Sequence, residues 1–427
     1  MTSGGAVEQQ RAVHVPELLK DQPFRRYWSA QTVSFFGDQI SQLAIPLLAV
    51  LALDADASDM GLLTAVALLP NLLFSLHAGV LADRSGRRRR IMILTDLVRT
   101  ALILSLPVAY GLDALHLSHL YVVAFLVGTC SVLFGVCNAA LFVSLVSPGK
   151  YVEGNSLVNG SQSMAQVGGA GLGGWLVQIL SAPFALVVDA LSYLVSALFL
   201  SRIAPPEPPR AERGRGVLAE GLRYVLRSPI LRANSAAVMT MNFFNFAFQA
   251  VFVLYATTRL DLAPGLLGTV LGVGAVGGLL GSFLTGRIVR RIGIGRAVVL
   301  GFIAFPAPLL LVPLAEGSTP IVVALLLLAE FGSGFGVMLL DISSGSLTTA
   351  AVPHELRARV AGVNRTLNFG IRPAGALAGG WLGTALGLRP TLWIATAGTM
   401  LCVVWILFSP IPRIRSLESV KPTGTAA

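Results

Sequence analysis

Two carboxylic acids lie within long apolar stretches of this sequence, where an electric charge is expensive. Asp38 stands beside Gln39 and Gln42 in the first stretch, and Glu330 stands near the middle of the tenth. An ionised side chain at the centre of a bilayer costs about 3 kcal/mol or more, so each acid needs a compensating role. Because burial disfavours the charged form, either carboxyl group could take up and release a proton near neutral pH. The alternative for each is a structural hydrogen bond or ion pair, for instance Glu330 with Arg372.

Other polar residues in these stretches could contact a ligand or a neighbouring helix. A run of phenylalanines between positions 243 and 248 would form apolar walls beside them, or would be ordinary packing. Asp96 and Arg99 are three residues apart and can pair on one helix face. Asp189 is expected to make a contact between helices. The candidate cavity residues are Gln39, Gln42, Asn138, Asn242, Asn245, Gln249 and Arg372.

The elements that carry these residues are predicted to be membrane-spanning helices. The chain has 427 residues, of which 54% are hydrophobic and 12% charged, and its mean hydropathy is +0.75. Its apolar stretches have the length, about 20 residues, that a helix needs to cross a hydrocarbon core. The pattern predicts an all-α membrane protein with twelve transmembrane helices. They are predicted near residues 27–52, 60–82, 91–111, 117–144, 157–180, 184–203, 235–257, 265–286, 297–315, 320–342, 362–387 and 390–410.

The distribution of positive charge predicts the orientation of these helices. Of the 31 Lys and Arg residues, 26 fall in the N-terminal segment, the even-numbered connections and the C-terminal segment. Positive residues are retained on the cytoplasmic side, so both termini are predicted to be cytoplasmic. Since topology accounts for the net charge of +10, a nucleic-acid partner is not expected.

A segment rich in proline and charge divides the chain. The residues IAPPEPPRAERGRG at 203–216 cannot continue a helix and are predicted to form a linker. The residues that follow place Val217, Leu218, Leu222, Val225 and Leu226 on one face, the pattern of an amphipathic helix on a membrane surface. We therefore predict a cytoplasmic tail at 1–24, a six-helix bundle at 25–203, a linker with the amphipathic helix at 204–232, a second six-helix bundle at 233–410 and a cytoplasmic tail at 411–427.

Two sequence matches across the linker indicate an internal duplication. The segment 79–86 aligns with 286–293, and GLGGWL at 171–176 aligns with ALAGGWL at 376–382. The offsets are 207 and 206 residues. Two matches at nearly one spacing predict that six spans were duplicated, which gives parallel halves with a binding site between them.

The first copy of this repeat, GVLADRSGRRRR at 79–90, joins the second and third spans. Gly79 and Gly86 allow the backbone to turn tightly and to approach a neighbour. The arginines, Arg84 and Arg87 among them, can anchor at lipid headgroups. Asp83 can pair with them or with the positive N-terminus of a facing helix. We predict that these five residues form a latch that holds the cytoplasmic side shut. A plain positive anchor is the alternative, but it explains the arginines and not the acid.

Glycines at four-residue spacing predict close contacts between helices, because small residues let helix backbones approach in lipid. This surface would serve either static packing or the rocking of one helix against another. The glycines are Gly169, Gly173 and Gly174 in the fifth span and Gly375, Gly379 and Gly383 in the eleventh. The three cysteines have no His or acidic companion, so no metal site is predicted.

GVLADRSGRRR resembles the signature loop between spans two and three of the major facilitator superfamily. The stretches at 35–48, 187–200 and 354–370 are similar to the branch that contains enterobactin exporters and macrolide or multidrug efflux proteins. The resemblance implies two pseudo-symmetric six-helix bundles, with spans one, four, seven and ten around a central cavity that Asp38 and Glu330 would face. Antiporters of the superfamily usually carry G-P-x-x-G-G in span five. Here Ala170 replaces the proline, so the antiporter signature is incomplete.

The residues and the resemblance together predict a secondary active transporter in a bacterial cell membrane. It would export an amphipathic small molecule, such as a drug, an antibiotic or a siderophore, by proton-coupled alternating access. The proton gradient would supply the energy, no cofactor is expected, and the chain would act as a monomer in the lipid bilayer. The alternatives are a proton-coupled importer and, outside transport, a membrane enzyme or scaffold. An enzyme should show clustered nucleophiles, bases or metal ligands at one bilayer face, and the sequence contains no such cluster.

Overall fold

The computed structural model describes residues 16–85, 87–204 and 217–420, and within them the regular structure is helical, without strands. Twelve long helical segments follow one another in this part of the chain. They are α1 Gln22–Leu53, α2 Ala57–Ser85, α3 Arg88–Gly111, α4 Leu117–Leu145, α5 Tyr151–Leu180, α6 Ala182–Ser201, α7 Pro229–Thr258, α8 Pro264–Ile292, α9 Ile294–Leu314, α10 Thr319–Ala351, α11 Arg357–Leu386 and α12 Leu388–Leu407. A short helix, Glu17–Lys20, precedes α1, and a connector helix, Val217–Arg227, precedes α7.

Each predicted span falls on one of these helices, although several helices are longer than the apolar stretch. The span predicted at 157–180, for example, begins at Tyr151, because a helix can continue past the apolar residues where its backbone stays hydrogen-bonded. Within the described residues, ten helices are long and apolar enough to cross a membrane. The other two, α5 and α11, carry many glycine, polar or arginine residues. The chain is therefore an all-α membrane protein.

The helices form two bundles, α1–α6 and α7–α12, with the same internal pairing. In the first bundle α1 packs on α5 and α6, α2 on α4, and α3 on α4 and α6. In the second bundle α7 packs on α11 and α12, α8 on α10, and α9 on α10 and α12. The second set of pairs is the first set advanced by six helices. The fold thus consists of two pseudo-symmetric bundles, as the repeat in the sequence predicts.

The bundles meet along two seams, α2 against α11 and α5 against α8. We call the side on which the connector helix lies the connector side, and the opposite side the distal side. Near the distal ends, a Cβ atom on Gly61 of α2 would lie 2.7 Å from the Cα of Gly380 in α11. In the other seam, a Cβ atom on Gly174 of α5 would lie 2.8 Å from the Cα of Gly268 in α8. Glycine is therefore required for the two bundles to close on the distal side.

The two seams are repeats of one contact. Gly61 and Gly268 are separated by 207 residues, and Gly174 and Gly380 by 206 residues, which are the offsets of the sequence repeat. The repeat also relates contacts inside the two bundles. Gly173 packs on Ile40 of α1, and Gly379, which is 206 residues later, packs on Ala247 of α7.

The connector helix packs on the second bundle. Gly221 lies against the backbone of Arg359 in α11, where a Cβ atom would come 2.8 Å from the Arg359 carbonyl oxygen. Val225 is buried among residues of α10 and α11, while Leu222 and Leu226 remain 40% and 54% exposed. The helix is thus held on the protein by its glycine face, and the two leucines are free to contact lipid.

Parts of the predicted tails also pack on the bundles. Leu18 is buried, and its backbone N–H donates to Glu153 of α5 over 3.1 Å. At the other end of the chain, Ile411 is buried and the N–H of Gly295 donates to the carbonyl oxygen of Ile414 over 3.0 Å. Apolar side chains near both ends therefore extend the connector side of each bundle beyond its last helix.

Candidate functional site

A cluster of charged side chains lies inside the first bundle, between α1, α3 and α6. Tyr193 of α6 donates a hydrogen bond of 2.5 Å to Asp38 of α1. On α3, Arg99 lies 3.4 Å from Asp96, and Asp96 also accepts a 2.7 Å hydrogen bond from Ser196 of α6. Asp96 and Arg99 are one helical turn apart and therefore pair on one face, as their spacing predicts. We call Asp38, Asp96, Arg99, Asp189 and Tyr193 the acidic cluster.

Asp189 brings a third carboxyl group to the cluster. Its side chain accepts hydrogen bonds from Ser41 of α1 and, over 3.2 Å, from Ser192. Gly37 faces it from α1, where any larger side chain would overlap Asp189 and Ser192. Asp189 therefore makes the contact between helices that the sequence suggests, but it does so beside Asp38.

The periodicity of α6 explains why these groups meet. Asp189, Ser192, Tyr193 and Ser196 stand at positions i, i+3, i+4 and i+7, which share one face of a helix. That face is turned toward α1 and α3, so a single helix supplies a carboxylate and three hydroxyl groups to the acidic cluster.

Arg99 is the cation of the acidic cluster. Its guanidinium lies over the rings of Phe134 and Tyr193, 4.8 and 5.1 Å from their centres, and its Nε–H has no hydrogen-bond partner. Three carboxyl groups thus face one guanidinium in a site where Asp96, Arg99 and Asp189 are buried. Full ionisation would leave an uncompensated negative charge away from water, which is costly. The arrangement favours holding at least one proton on the carboxyl groups.

Glu330 lies elsewhere, in the second bundle. It packs where α10 passes α8, and a Cβ atom on Gly274 would come 3.1 Å from its Oε2. Among the described residues it has no hydrogen-bond or ion-pair partner. Arg372, the ion-pair partner considered from the sequence, interacts instead with Asp341. Glu330 and Asp38 therefore do not belong to one cluster.

A cavity of about 480 Å³ lies in the second bundle between α7, α9, α10 and α11. Its volume is within the range of small-molecule sites. Asp341 of α10 and Arg372 of α11 line it, together with apolar side chains such as Phe246 and Phe305. Its lining asparagines are Asn234, Asn242 and Asn245 of α7 and Asn364 and Asn368 of α11. We call this cavity the asparagine pocket.

The cavity candidates from the sequence have different locations in the structure. Asn242, Asn245 and Arg372 line the asparagine pocket. Asn138 instead accepts a 2.7 Å hydrogen bond from Tyr27, and Gln39 packs against Gly169. Gln42 and Gln249 are exposed and do not line the pocket.

The lining residues missed from the sequence include Asn234, Asp341, Asn364 and Asn368. Asp341 stands at the end of the predicted span 320–342, and Asn234 stands just before the predicted span 235–257, where polar residues are common. The sequence of α11 did indicate a polar helix face, because Asn364, Asn368 and Arg372 recur every four residues and therefore lie on one side of the helix.

The predicted latch lies largely outside the described residues. This holds for Gly86, for the surroundings of Gly79 and for the side chains of Asp83 and Arg84, so the latch stays a prediction. Arg87 immediately precedes α3 and is exposed.

The predicted packing glycines all lie at close contacts. Gly169 and Gly173 pack on α1, and Gly174 packs on α8. In α11, Gly375 and Gly379 pack on α7, and Gly383 meets Ala57 of α2 and Val251 of α7. Within the described ranges, no group of three or more His, Cys, Asp and Glu side chains is arranged to hold a metal ion.

Comparisons with known proteins agree with this architecture. A family model described as the Major Facilitator Superfamily matches residues 27–376. The chain is similar to the multidrug efflux pump Tap of Mycolicibacterium fortuitum, with 28% identity over 398 residues that cover 90% of this chain and 94% of that protein.

Two solved structures share the fold at low sequence identity. The nucleoside transporter NupG has a TM-score of 0.74 and 13% identity, with 90% of this chain and 98% of that chain covered. A bacterial homologue of the iron transporter ferroportin, in an inward-facing state, has a TM-score of 0.72 and 16% identity, with 90% and 97% covered. The chain belongs to the major facilitator superfamily and is a multi-pass membrane transporter rather than an enzyme.

Proposed function

We propose that this transporter exports an amphipathic small molecule from a bacterial cell in exchange for protons. The similarity to a multidrug efflux pump over 90% of the chain supports the export direction and the substrate class. The asparagine pocket supports small-molecule binding, since its volume of about 480 Å³ suits one such ligand. Both this pocket and the acidic cluster are formed within one chain, so we propose that a monomer is sufficient.

We also propose that the connector side is cytoplasmic and that both termini lie there. The concentration of Lys and Arg in the segments of this side supports the orientation. In this orientation the glycine seams close the outer side, and the asparagine pocket lies toward the cytoplasm, because Asn234 and Asn364 are near the connector-side ends of their helices. Substrate would enter from the cytoplasm and leave after the bundles rock to the alternative arrangement.

The acidic cluster is the proposed proton-binding site, with Asp38 as the carrier. The observation that carries this proposal is that three carboxyl groups and one guanidinium meet between α1, α3 and α6, with Asp96 paired to Arg99 and Asp38 bonded to Tyr193, over whose ring Arg99 lies. Asp38 is half buried, whereas Asp96 and Asp189 are buried, so Asp38 is the most exposed of the three acidic residues of the cluster. Tyr193 and Arg99 face it from α6 and α3. Glu330 is a second candidate carrier, because it is half buried without a charged partner among the described residues.

Export is tested first in cells. The chain is expressed in a drug-sensitive bacterial host, and the accumulation of two dyes, fluorescein and rhodamine 123, is compared with that in cells carrying an empty vector. An exporter lowers the accumulation of at least one dye, and dissipation of the proton gradient restores it. Higher accumulation than in the empty-vector cells would instead identify a proton-coupled importer.

Coupling is tested in inside-out membrane vesicles that carry a proton gradient. Substrate-induced release of protons is compared for the wild type, Asp38→Asn and Glu330→Gln. Asp113→Asn is the matched control, because Asp113 is an exposed loop residue. We expect proton release to be lost in Asp38→Asn and kept in Asp113→Asn. Normal release in both Asp38→Asn and Glu330→Gln would exclude these residues as carriers.

A further inference from the structure

The asparagine side chains of the pocket present more unpaired hydrogen-bond donors than unpaired acceptors to a ligand, and this bears on the substrate class of the proposed exporter. The amide oxygen of Asn234 accepts a 2.8 Å hydrogen bond from Ser344, and that of Asn364 accepts a 3.1 Å hydrogen bond from Ser235. The NH₂ groups of these two asparagines have no protein partner among the described residues. Each can therefore donate two hydrogen bonds into the pocket.

A third asparagine is oriented in the same way by a chain of hydrogen bonds. The NH₂ group of Asn242 donates to the carbonyl oxygen of Val238 over 2.9 Å, which settles which end of this amide carries the hydrogens. The same NH₂ group donates to the amide oxygen of Asn368. The oxygen of Asn368 is thus occupied, and its NH₂ group is left for a ligand. A polar pocket with unused donors binds a complementary ligand best, because an unpaired buried donor is costly.

Arg372 adds a planar donor beside these amides. Its guanidinium lies over the rings of Phe369 and Phe246, 4.3 and 5.0 Å from their centres, and its buried Nε–H has no hydrogen-bond partner. Such stacking holds the guanidinium in a defined plane and suits it to bidentate contacts with oxygen atoms.

The acceptors of the pocket are fewer, and the one carboxyl group among its lining residues, that of Asp341, shares the pocket with the cationic Arg372. The two formal charges offset each other, so the lining residues carry no net charge that would attract a cation. The oxygen of Asn242 and the amide of Asn245 are the other acceptors among the lining asparagines. The excess of donors therefore favours a ligand with oxygen acceptors over a cation whose amino groups are themselves donors.

We propose that the asparagine pocket binds an oxygen-rich, neutral or anionic small molecule, one whose carbonyl, hydroxyl or carboxylate oxygens meet the NH₂ groups of Asn234, Asn364 and Asn368 and the guanidinium of Arg372. The apolar part of such a molecule contacts Phe246 and Phe305. This proposal rests on the proposed function for the role of the pocket in transport, but ligand preference is a property of the pocket itself.

The test uses two dyes with one ring skeleton and opposite chemistry. Fluorescein carries a free carboxylate and hydroxyl and keto oxygens attached to its xanthene ring, whereas rhodamine 123 is a cationic methyl ester with amino groups in place of those attached oxygens. Binding of each dye to the purified full-length chain in lipid nanodiscs is measured by fluorescence anisotropy without a proton gradient. We expect fluorescein to bind at least about tenfold more tightly than rhodamine 123, since each charged hydrogen bond contributes a factor of about ten or more.

Two substitutions connect this preference to named donors. Arg372→Gln and Asn368→Leu should each weaken fluorescein binding, by about tenfold or more for Arg372→Gln, while rhodamine 123 binding by the same preparations is unchanged or stronger, which shows that the variants are folded. The matched controls are Arg291→Gln, an exposed arginine of α8 that does not line the pocket, and Asn155→Ala, an exposed asparagine on α5. Both controls should bind both dyes like the wild type.

Three outcomes would overturn the proposal. They are rhodamine 123 binding as tightly as fluorescein, no fluorescein binding up to about 1 mM, and unchanged fluorescein affinity in both pocket variants. None of these outcomes bears on proton coupling, which the Asp38→Asn vesicle experiment tests separately. Conversely, normal proton release in Asp38→Asn would contradict the proposed carrier but would not affect a measured preference of the pocket for fluorescein.

Discussion

Gly61 of α2 and Gly380 of α11 lie so close together that a methyl group on Gly61 would come within 2.7 Å of the Cα of Gly380. Carbon atoms in ordinary contact are about 3.5–4.0 Å apart, so Gly61→Ala must move the bundles apart by about 1 Å at this point. We expect this variant to populate a distally open state more than the wild type does. The measurement is the distance between spin labels at exposed residues of the two bundles, 113 and 318, in a cysteine-free chain.

The control for this prediction is Gly171→Ala in α5. A Cβ atom on Gly171 meets nothing within 4 Å, so the label distance should not change. An unchanged distance in Gly61→Ala as well would show that the seam yields without separating the bundles.

Removal of the cation from the acidic cluster should destabilise the first bundle. Arg99→Met leaves Asp96 without its 3.4 Å partner and leaves three carboxyl groups unbalanced, which typically costs about 3 kcal/mol or more for a buried pair. Thermal unfolding of the purified protein in detergent measures the loss. Arg365→Met, on an exposed position, should change the unfolding temperature little.

Neutralising a carboxyl group in the same background should restore part of this stability. Asp38→Asn combined with Arg99→Met is expected to unfold at a higher temperature than Arg99→Met alone, because one of the unbalanced charges is removed. Additive effects of the two substitutions would contradict the electrostatic coupling of Asp38 and Arg99.

Asp56 stabilises the first turn of α2 as a cap. Its carboxylate accepts a 2.9 Å hydrogen bond from the backbone N–H of Asp59, and this bond lowers the pKa of Asp56. Asp56→Ala should cost about 1 kcal/mol at neutral pH, whereas Asp56→Asn should cost less, because Asn also caps helices. Thermal unfolding of the three proteins measures the difference.

The lowered pKa of Asp56 also determines in which direction the stabilisation by this cap changes with pH. The contribution of the charged cap is complete above the unfolded pKa of about 3.9 and is lost as the pH falls through the lower folded value. The advantage of the wild type over Asp56→Ala should therefore be constant between about pH 7.5 and pH 5. A decline within that interval would mean that another group controls the stability of this turn.

The attachment of the connector helix depends on Gly221 more than on its ion pair. Any side chain at this position would meet the backbone of Arg359, so Gly221→Leu should release the helix. Arg223 and Arg227 are already exposed, but once the released helix unfolds, trypsin should cleave the backbone after them faster. Glu220→Gln removes the partner of Arg359 at a largely exposed site and should leave the digestion rate nearly unchanged. Equal digestion rates for the wild type and Gly221→Leu would contradict the proposed packing.

The helices and their pairing into two bundles could be predicted from the sequence because membrane thickness and backbone hydrogen bonding leave few alternatives. The repeat at offsets of 207 and 206 residues likewise predicted equivalent helices, and the matched glycine seams obey it. These properties depend on one-dimensional patterns, which a single sequence contains.

The sites were less predictable because they depend on which helix faces meet. The spacing of Asp96 and Arg99 predicts their pairing, but nothing in the local sequence shows that Asp38 and Asp189 join them from two other helices. In the second bundle, Asn242, Asn245 and Arg372 were recognised because they interrupt apolar stretches. Asp341 was not recognised, because it stands at the end of a predicted span, where the free-energy cost of a charged side chain in the membrane is low.

The duplication of the glycine contact has a mechanical consequence for the whole transporter. Because the seam of Gly61 and Gly380 and the seam of Gly174 and Gly268 stand on opposite flanks of the molecule, a substituent in one seam leaves its twin intact. The two bundles then rotate about the unsubstituted seam, so a methyl group in one seam separates them on that side only. Methyl groups in both seams are needed to separate the bundles evenly.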